Sequence, residues 1–250
     1  MKKIALIALL SISNVSAFKL GVTAGPHAMI AEEVAKVAKK AGLTIDVVEF
    51  NDFILPNIAL NQGDLNANSY QHQPFLDNQI KNRGFKLVSV GKTVLMPLGV
   101  YSKKIKGIDG LKEGALVGIP NDPTNGGRAL LLLEKAGLFK LKTKDIPGIF
   151  DIIENPKKLV IKELDAPQLP RSLDDLDMAV INTDWVILAK LDPKTALMME
   201  SADSPYTNVL VVRTGEQDSE DVKNLLKAYR SKEVKEFIEK KFSGAILSAN

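Results

Sequence analysis

Short strand-like segments alternate with helix-like ones along most of the chain, and this alternation limits the possible folds more than any other feature. Residues 19–23 form an apolar strand. Residues 27–41 follow as a helix, with Ile30, Val34, Val37, Ala38 and Ala41 on one face and Glu32, Glu33, Lys36, Lys39 and Lys40 mostly on the other. Gly42 ends that helix, the β-branched run 44–50 reads as a strand, and Asp52 can cap a helix reaching about Gln62. Strands are predicted near 66–70, 86–95, 97–102, 115–120, 159–164, 178–181 and 207–213, and helices at 73–82, 123–137, 168–174 and 183–189. Such alternation predicts an α/β protein with mainly parallel sheets. The last part breaks the pattern. Val222, Leu225, Leu226 and Tyr229 share one helical face, and Val234, Phe237, Ile238 and Phe242 share another, which predicts two closing helices with no strand after them.

Strand-like segments at 94–102 and 206–213 flank the middle of the chain. If both are crossovers, the first lobe is discontinuous (18–97 and 207–250) and the second is an insert (98–206), with a ligand cleft at the hinge between them. A single larger sheet fits the same periodicity.

Composition narrows the function. The chain has 250 residues, 45% of them hydrophobic, enough for one large core or two modest ones. Cysteine is absent, which excludes disulfides, thiolate nucleophiles, iron–sulfur clusters and Cys-ligated zinc. The two histidines, His27 and His72, make a poor metal site by themselves, so neither metal nor cofactor is expected. The net charge of +3 comes without a basic block, and nucleic acid is not an expected partner. Lys2 and Lys3, the apolar stretch 4–12, and Val15-Ser16-Ala17 follow the plan of a secretory signal peptide, expected to occupy residues 1–17. With no cysteine to carry lipid, the expected product is a soluble exported protein, monomeric after cleavage.

Several polar segments fall at strand ends, where α/β sheets bind ligands. In Ile119-Pro120-Asn121-Asp122-Pro123-Thr124-Asn125-Gly126-Gly127-Arg128, a strand runs through a turn-rich loop into a helix. Backbone N–H groups at a helix start favour an anion, and Arg128 adds a planar fork suited to a carboxylate. Carboxylate capture and a surface arginine on the first helical turn both fit this string. Asn68-Ser69-Tyr70-Gln71-His72-Gln73-Pro74 offers a flat wall in Tyr70 and a donor or titrating group in His72, or simply a capping turn. Gly25-Pro26-His27 follows the first strand. Val180-Ile181-Asn182-Thr183-Asp184-Trp185 and Ser204-Pro205-Tyr206-Thr207-Asn208 place amides at strand edges, able to bind an ammonium or a carboxylate, or to cap backbone. No nucleophile elbow or marked acid–base pair is present.

The run from Val117 to Glu134 closely resembles the NlpA/MetQ-type methionine-binding proteins of bacterial ABC importers. So do Ala24-Gly25-Pro26-His27, Tyr70-Gln71-His72, Glu154-Asn155-Pro156-Lys157, Gln168-Leu169-Pro170-Arg171-Ser172-Leu173, Val180-Ile181-Asn182 and Ser204-Pro205-Tyr206. The resemblance covers essentially the whole chain after residue 17, in order. It implies a type II periplasmic-binding-protein fold, two α/β lobes joined by two crossover strands and closing on a small amino acid. It further implies that Arg128 holds the ligand carboxylate, that Asn182 and Asn208 bind the amino-acid backbone, and that Tyr70 and His72 line the pocket, with Phe53 walling a thioether. The implied ligand is methionine or a similar amino acid, and the implied partner is an ABC permease with its ATPase. Gln73 replaces a usual lysine. Thr183-Asp184-Trp185 departs from the small polar residues common there, and Trp185 is expected to change the pocket's volume. A Met-containing dipeptide or another amino acid is the alternative ligand. A periplasmic enzyme with His72 as general base, or a surface protein that has lost transport, are alternative functions.

Overall fold

The computed structural model describes residues 17–143 and 145–249, so apart from Ala17 the expected signal segment lies outside the described residues. Strand and helix alternate through β1 (Phe18–Thr23), α1 (Pro26–Lys40), β2 (Ile45–Phe50), α2 (Leu55–Gln62), β3 (Ala67–His72), α3 (Gln73–Arg83) and β4 (Leu87–Lys92). The chain then passes through β5 (Val94–Leu95) into β6 (Leu98–Tyr101). A second alternating region follows: β7 (Leu116–Pro120), α4 (Pro123–Lys135), a hairpin of β8 (Lys140–Leu141) and β9 (Ile152–Glu154), β10 (Val160–Leu164), α5 (Leu169–Ser172), β11 (Met178–Asn182), α6 (Thr183–Leu188) and β12 (Met198–Met199). It ends with β13 (Asn208–Arg213), α7 (Glu220–Tyr229), α8 (Lys232–Phe242) and β14 (Leu247–Ser248).

These strands build two five-stranded sheets, ordered β2-β1-β3-β13-β4 and β10-β7-β11-β6-β12. The expectation of mainly parallel sheets needs one correction: each contains a reversed strand, β13 in the first and β6 in the second. The cause is the chain path. Both reversed strands follow a passage from the other sheet, so they start at the edge where their neighbours end. The register records this, pairing Asn208 at the start of β13 with His72 at the end of β3, and Leu98 at the start of β6 with Asn182 at the end of β11. The ends of both sheets therefore meet around the two connections.

Burial follows the periodicity. Val22, Ile30 and Val34 join Val222, Leu225, Val234 and Ile238 in one core, so α7 and α8 pack with α1 over the first sheet. A second core gathers Leu98, Val117, Ile119, Leu130, Leu133 and Val180 under α4. The expectation of no strand after the closing helices is corrected by β14, which pairs antiparallel with β5, Leu247 opposite Leu95. That pairing hides backbone groups of a crossing segment that would otherwise lack partners.

Gly126 and Gly127 have a packing reason. A Cβ on Gly126 would lie 2.8 Å from the Pro120 carbonyl oxygen, and one on Gly127 3.0 Å from that of Pro147. The bare backbone of Gly126 lets α4 start tight against the end of β7, and that of Gly127 lets it pass close to the loop at Pro147.

Candidate functional site

Between the sheet ends lies a cavity whose lining includes Phe53, Tyr70, His72, Arg128, Asn182 and Asn208, so all six residues singled out in the sequence meet there. The space between the lining atoms, its mouth included, is about 360 Å³. His27, Gln71, Phe75, Met96, Asn125 and Asp184 complete the wall. His27, Gln71 and Asn125 sit in strings that the sequence already marked. Phe75 follows His72 by three residues, one turn into α3. Met96 carries no sequence signal and is brought in by the connection between the sheets.

The polar side is a connected network. His72 is the N-cap of α3: its Nδ1 accepts from the Phe75 N–H at 3.1 Å, which places the ring proton on Nε2. Nε2 then donates to Asn125 Oδ1 at 3.3 Å. The same oxygen accepts from Asn182 Nδ2 at 3.0 Å, while Asn125 Nδ2 donates to both oxygens of Asp122. Asn182 thus has a fixed orientation: its NH₂ is committed, and its buried Oδ1 has no hydrogen-bond partner among the described residues. On the strand beside His72, Asn208 Nδ2 donates to His27 Nε2 at 3.2 Å. Burial pushes both histidines down to about 3 from their ordinary value; for His72 the nearby Arg128 guanidinium adds to the effect. Both rings are neutral at physiological pH, so His72 does not titrate near neutrality as its residue type alone suggested.

Arg128 is 3% exposed and lies in the second turn of α4, which corrects the reading of a surface arginine on the first turn. Its paired nitrogens do grip a carboxylate, but that carboxylate belongs to Glu200. Nε donates to Glu200 Oε1 at 2.7 Å, Nη2 donates to Oε2 and, at 3.1 Å, to the Met96 carbonyl. Glu200 also accepts from the Leu98 N–H at 2.9 Å, so this ion pair fastens both connections between the sheets. Among the described residues Nη1 has no hydrogen-bond partner. The Tyr206 ring lies 4.6 Å from the guanidinium carbon. The start of α4 is likewise filled from within: Asp122 accepts from the Asn125 N–H at 2.9 Å and from the Thr124 hydroxyl. No local pattern pointed to Glu200, which reaches Arg128 across 72 positions.

The apolar side is aromatic. The Tyr70 hydroxyl donates to the Phe53 carbonyl at 2.8 Å, fixing the loop before α2. Phe53 stacks on Tyr70 with centroids 6.2 Å apart and meets Phe75 edge-on at the same distance. Asp52 caps the turn into α2 through the Ile54 and Leu55 N–H groups, so Phe53 precedes the helix instead of lying inside it. Trp185 does not line the cavity, contrary to the expectation that it changes the pocket's volume. It packs behind Phe53, 5.3 Å between centroids. Gln73 is also outside the lining and holds Asp77 and Ser89.

Residues 18–250 match the family described as NlpA lipoprotein. The chain is 53% identical over 232 residues to the D-methionine-binding lipoprotein MetQ of Salmonella typhi, covering 90% of this chain and 86% of that relative. It is 47% identical to Outer membrane lipoprotein 3 of Mannheimia haemolytica, covering 92% and 89%. Among solved structures, a nutrient binding protein from Burkholderia cenocepacia bound to methionine superposes with a TM-score of 0.92 at 51% identity, covering 94% of this chain and all of that one. The two-sheet α/β architecture is that of the MetQ-type binding-protein structures, in line with the expected fold class. The expected location is overturned: the family and these relatives are named as lipoproteins, which conflicts with a freely soluble protein. That expectation rested on the absence of cysteine, which speaks to one attachment chemistry and not to where the protein works. The chain belongs to the NlpA lipoprotein family.

Proposed function

We propose that the chain is the solute receptor of an ABC importer and binds methionine in a cleft between two lobes, one of residues 18–97 with 207–250 and the other of 98–206. The observation that carries this reading is the division of the cavity wall: buried amides and a guanidinium on one side, aromatic rings on the other. A methionine has that same division. Its zwitterionic end is desolvated only if each charge finds a partner, and its thioether gains from aromatic contact. In this reading the carboxylate is held through Arg128 Nη1, and Asn182 Oδ1 accepts from the ammonium group. Asn208 orients the ligand backbone, and Phe53, Tyr70 and Phe75 wall the side chain. The wall comes from both sheets, so the ligand stabilises the closed lobes through contacts unavailable when they part. Residues 1–17 serve as the export signal, and the loaded receptor hands its ligand to a permease driven by an ATPase.

Calorimetric titration with L-methionine, D-methionine and a Met-containing dipeptide tests the reading. One-to-one saturation by a methionine, recovered chemically unchanged, is the expected result. Arg128→Ala weakens that binding by several kcal/mol, because it leaves a buried carboxylate unpaired. Near-native affinity in this variant removes Arg128 from the site. Turnover with His72 as general base is disfavoured by the geometry: both ring nitrogens already have partners.

A further inference from the structure

Asp184 is the second residue of α6, 3% exposed, and lines the cavity. Its Oδ1 accepts from the Trp185 N–H at 3.0 Å, and the Thr23 hydroxyl of β1 lies beside it. Among the described residues no cation pairs with it. The one cationic side chain of the cavity, Arg128, has its ion pair with Glu200. Two residues earlier, Asn182 Oδ1 is also buried and without a donor. The end of β11 and the start of α6 therefore bring two buried side-chain acceptors to the cavity. An isolated buried carboxylate is costly unless it is neutralised by a proton or by a cation from elsewhere.

We propose that Asp184 is the anionic partner of the ligand's ammonium group, so that the receptor selects ligands with a free α-amine and releases a proton from Asp184 when it binds them. This inference rests on the amino-acid-receptor reading and adds a charged contact to it. The ammonium group keeps its own protons. The carboxylic acid gives one proton to solvent, and the resulting carboxylate and Asn182 Oδ1 accept from the ammonium. Burial pushes its carboxyl up to about 7, only partly offset by the Trp185 and Asp184 backbone N–H groups and by Arg128. Around it lie Arg128 from α4, paired with Glu200, Thr23 from β1, and the neutral rings of His27 from α1 and His72 at the end of β3. None of these rings titrates between pH 5 and 8, so a proton released in that range comes from Asp184.

The test is calorimetric titration of the wild type and Asp184→Asn with L-methionine and with its des-amino analogue, 4-(methylsulfanyl)butanoate, at pH 7 in phosphate and in Tris. Asp184→Asn is expected to weaken methionine binding about tenfold or more and to leave the des-amino acid within about twofold. The wild type is expected to release about half a proton per methionine, seen as a difference in heat between the buffers, and the variant none. A second readout uses the wild type alone, should the variant fold poorly: its methionine affinity falls about tenfold or more from pH 8 to pH 5, while that of the des-amino acid stays level. Equal methionine affinity in wild type and variant, or a level pH profile in the wild type, overturns the inference while the receptor reading stands. A wild type that binds no amino acid overturns both.

Discussion

His72 and His27 carry no charge in the folded chain near neutral pH because burial takes each ring out of water; for His72 the Arg128 guanidinium adds to the effect and the Asn125 hydrogen bond opposes it. The consequence for stability has a definite sign. Each is held at about 3 when folded, against an ordinary 6.5, so between these values the unfolded chain binds protons that the folded chain does not. Their contribution is complete above pH 6.5 and is lost as pH falls toward 3. Asp184 acts oppositely: raised to about 7, it binds a proton in the folded state that the unfolded chain has given up, and its contribution is lost as pH rises from about 4 to 7. Comparing variants cancels the opposing group. Urea unfolding of His72→Gln at pH 7 and pH 4.5 is expected to show a stability loss smaller by about 2 kcal/mol than that of the wild type. An equal loss in both proteins means that folding leaves the proton affinity of His72 unchanged. At this scale the sequence pointed to residues that the fold collects in one place: all six named candidates line one cavity. It was silent about their partners. Asn182 reads as a capping amide until its NH₂ is seen on Asn125, and Arg128 as a free fork until Glu200 is seen in it.

Helix α4 shows what local pattern carries at the scale of an element. Asp122 as cap, Pro123 at the first position and the apolar run 129–133 mark its start, and the helix begins where they predict. The Gly-Gly pair is opposed to helix propensity, and only the tertiary contact explains it. Gly126→Ala gains about 1 kcal/mol of propensity but forces a Cβ against the Pro120 carbonyl. A net destabilisation of about 1–2 kcal/mol is expected, since overpacking against backbone exceeds that gain. Thermal unfolding checks it: a raised melting temperature removes the close approach as the reason for glycine here. β14 lies at the other extreme. Two residues contain no periodicity, and their strand character exists only because β5 runs alongside.

Across the whole molecule, Trp185 and Phe53 join the two sheets. Phe53 comes from the loop before α2, Trp185 from α6, and their rings meet just behind the cavity wall. A ligand that holds the sheets together holds this contact, and Trp185 is the only tryptophan in the chain. Its emission is expected to change on methionine addition and to saturate one-to-one, with the change much reduced in Phe53→Ala. Emission that stays constant at saturating ligand, with binding shown by calorimetry, separates the aromatic contact from closure.

The order of strands and helices, the cores they bury and the polar residues at their ends were all set by patterns spanning a turn or two, because caps, periodicity and turn residues act on near neighbours. The reversed strands, the Arg128–Glu200 pair across 72 positions and the lack of an ion-pair partner for Asp184 among the described residues were decided only by tertiary structure. These depend on where two connections return the chain, and on which charges that return shuts away from water. A side chain's neighbours in sequence carry no record of either.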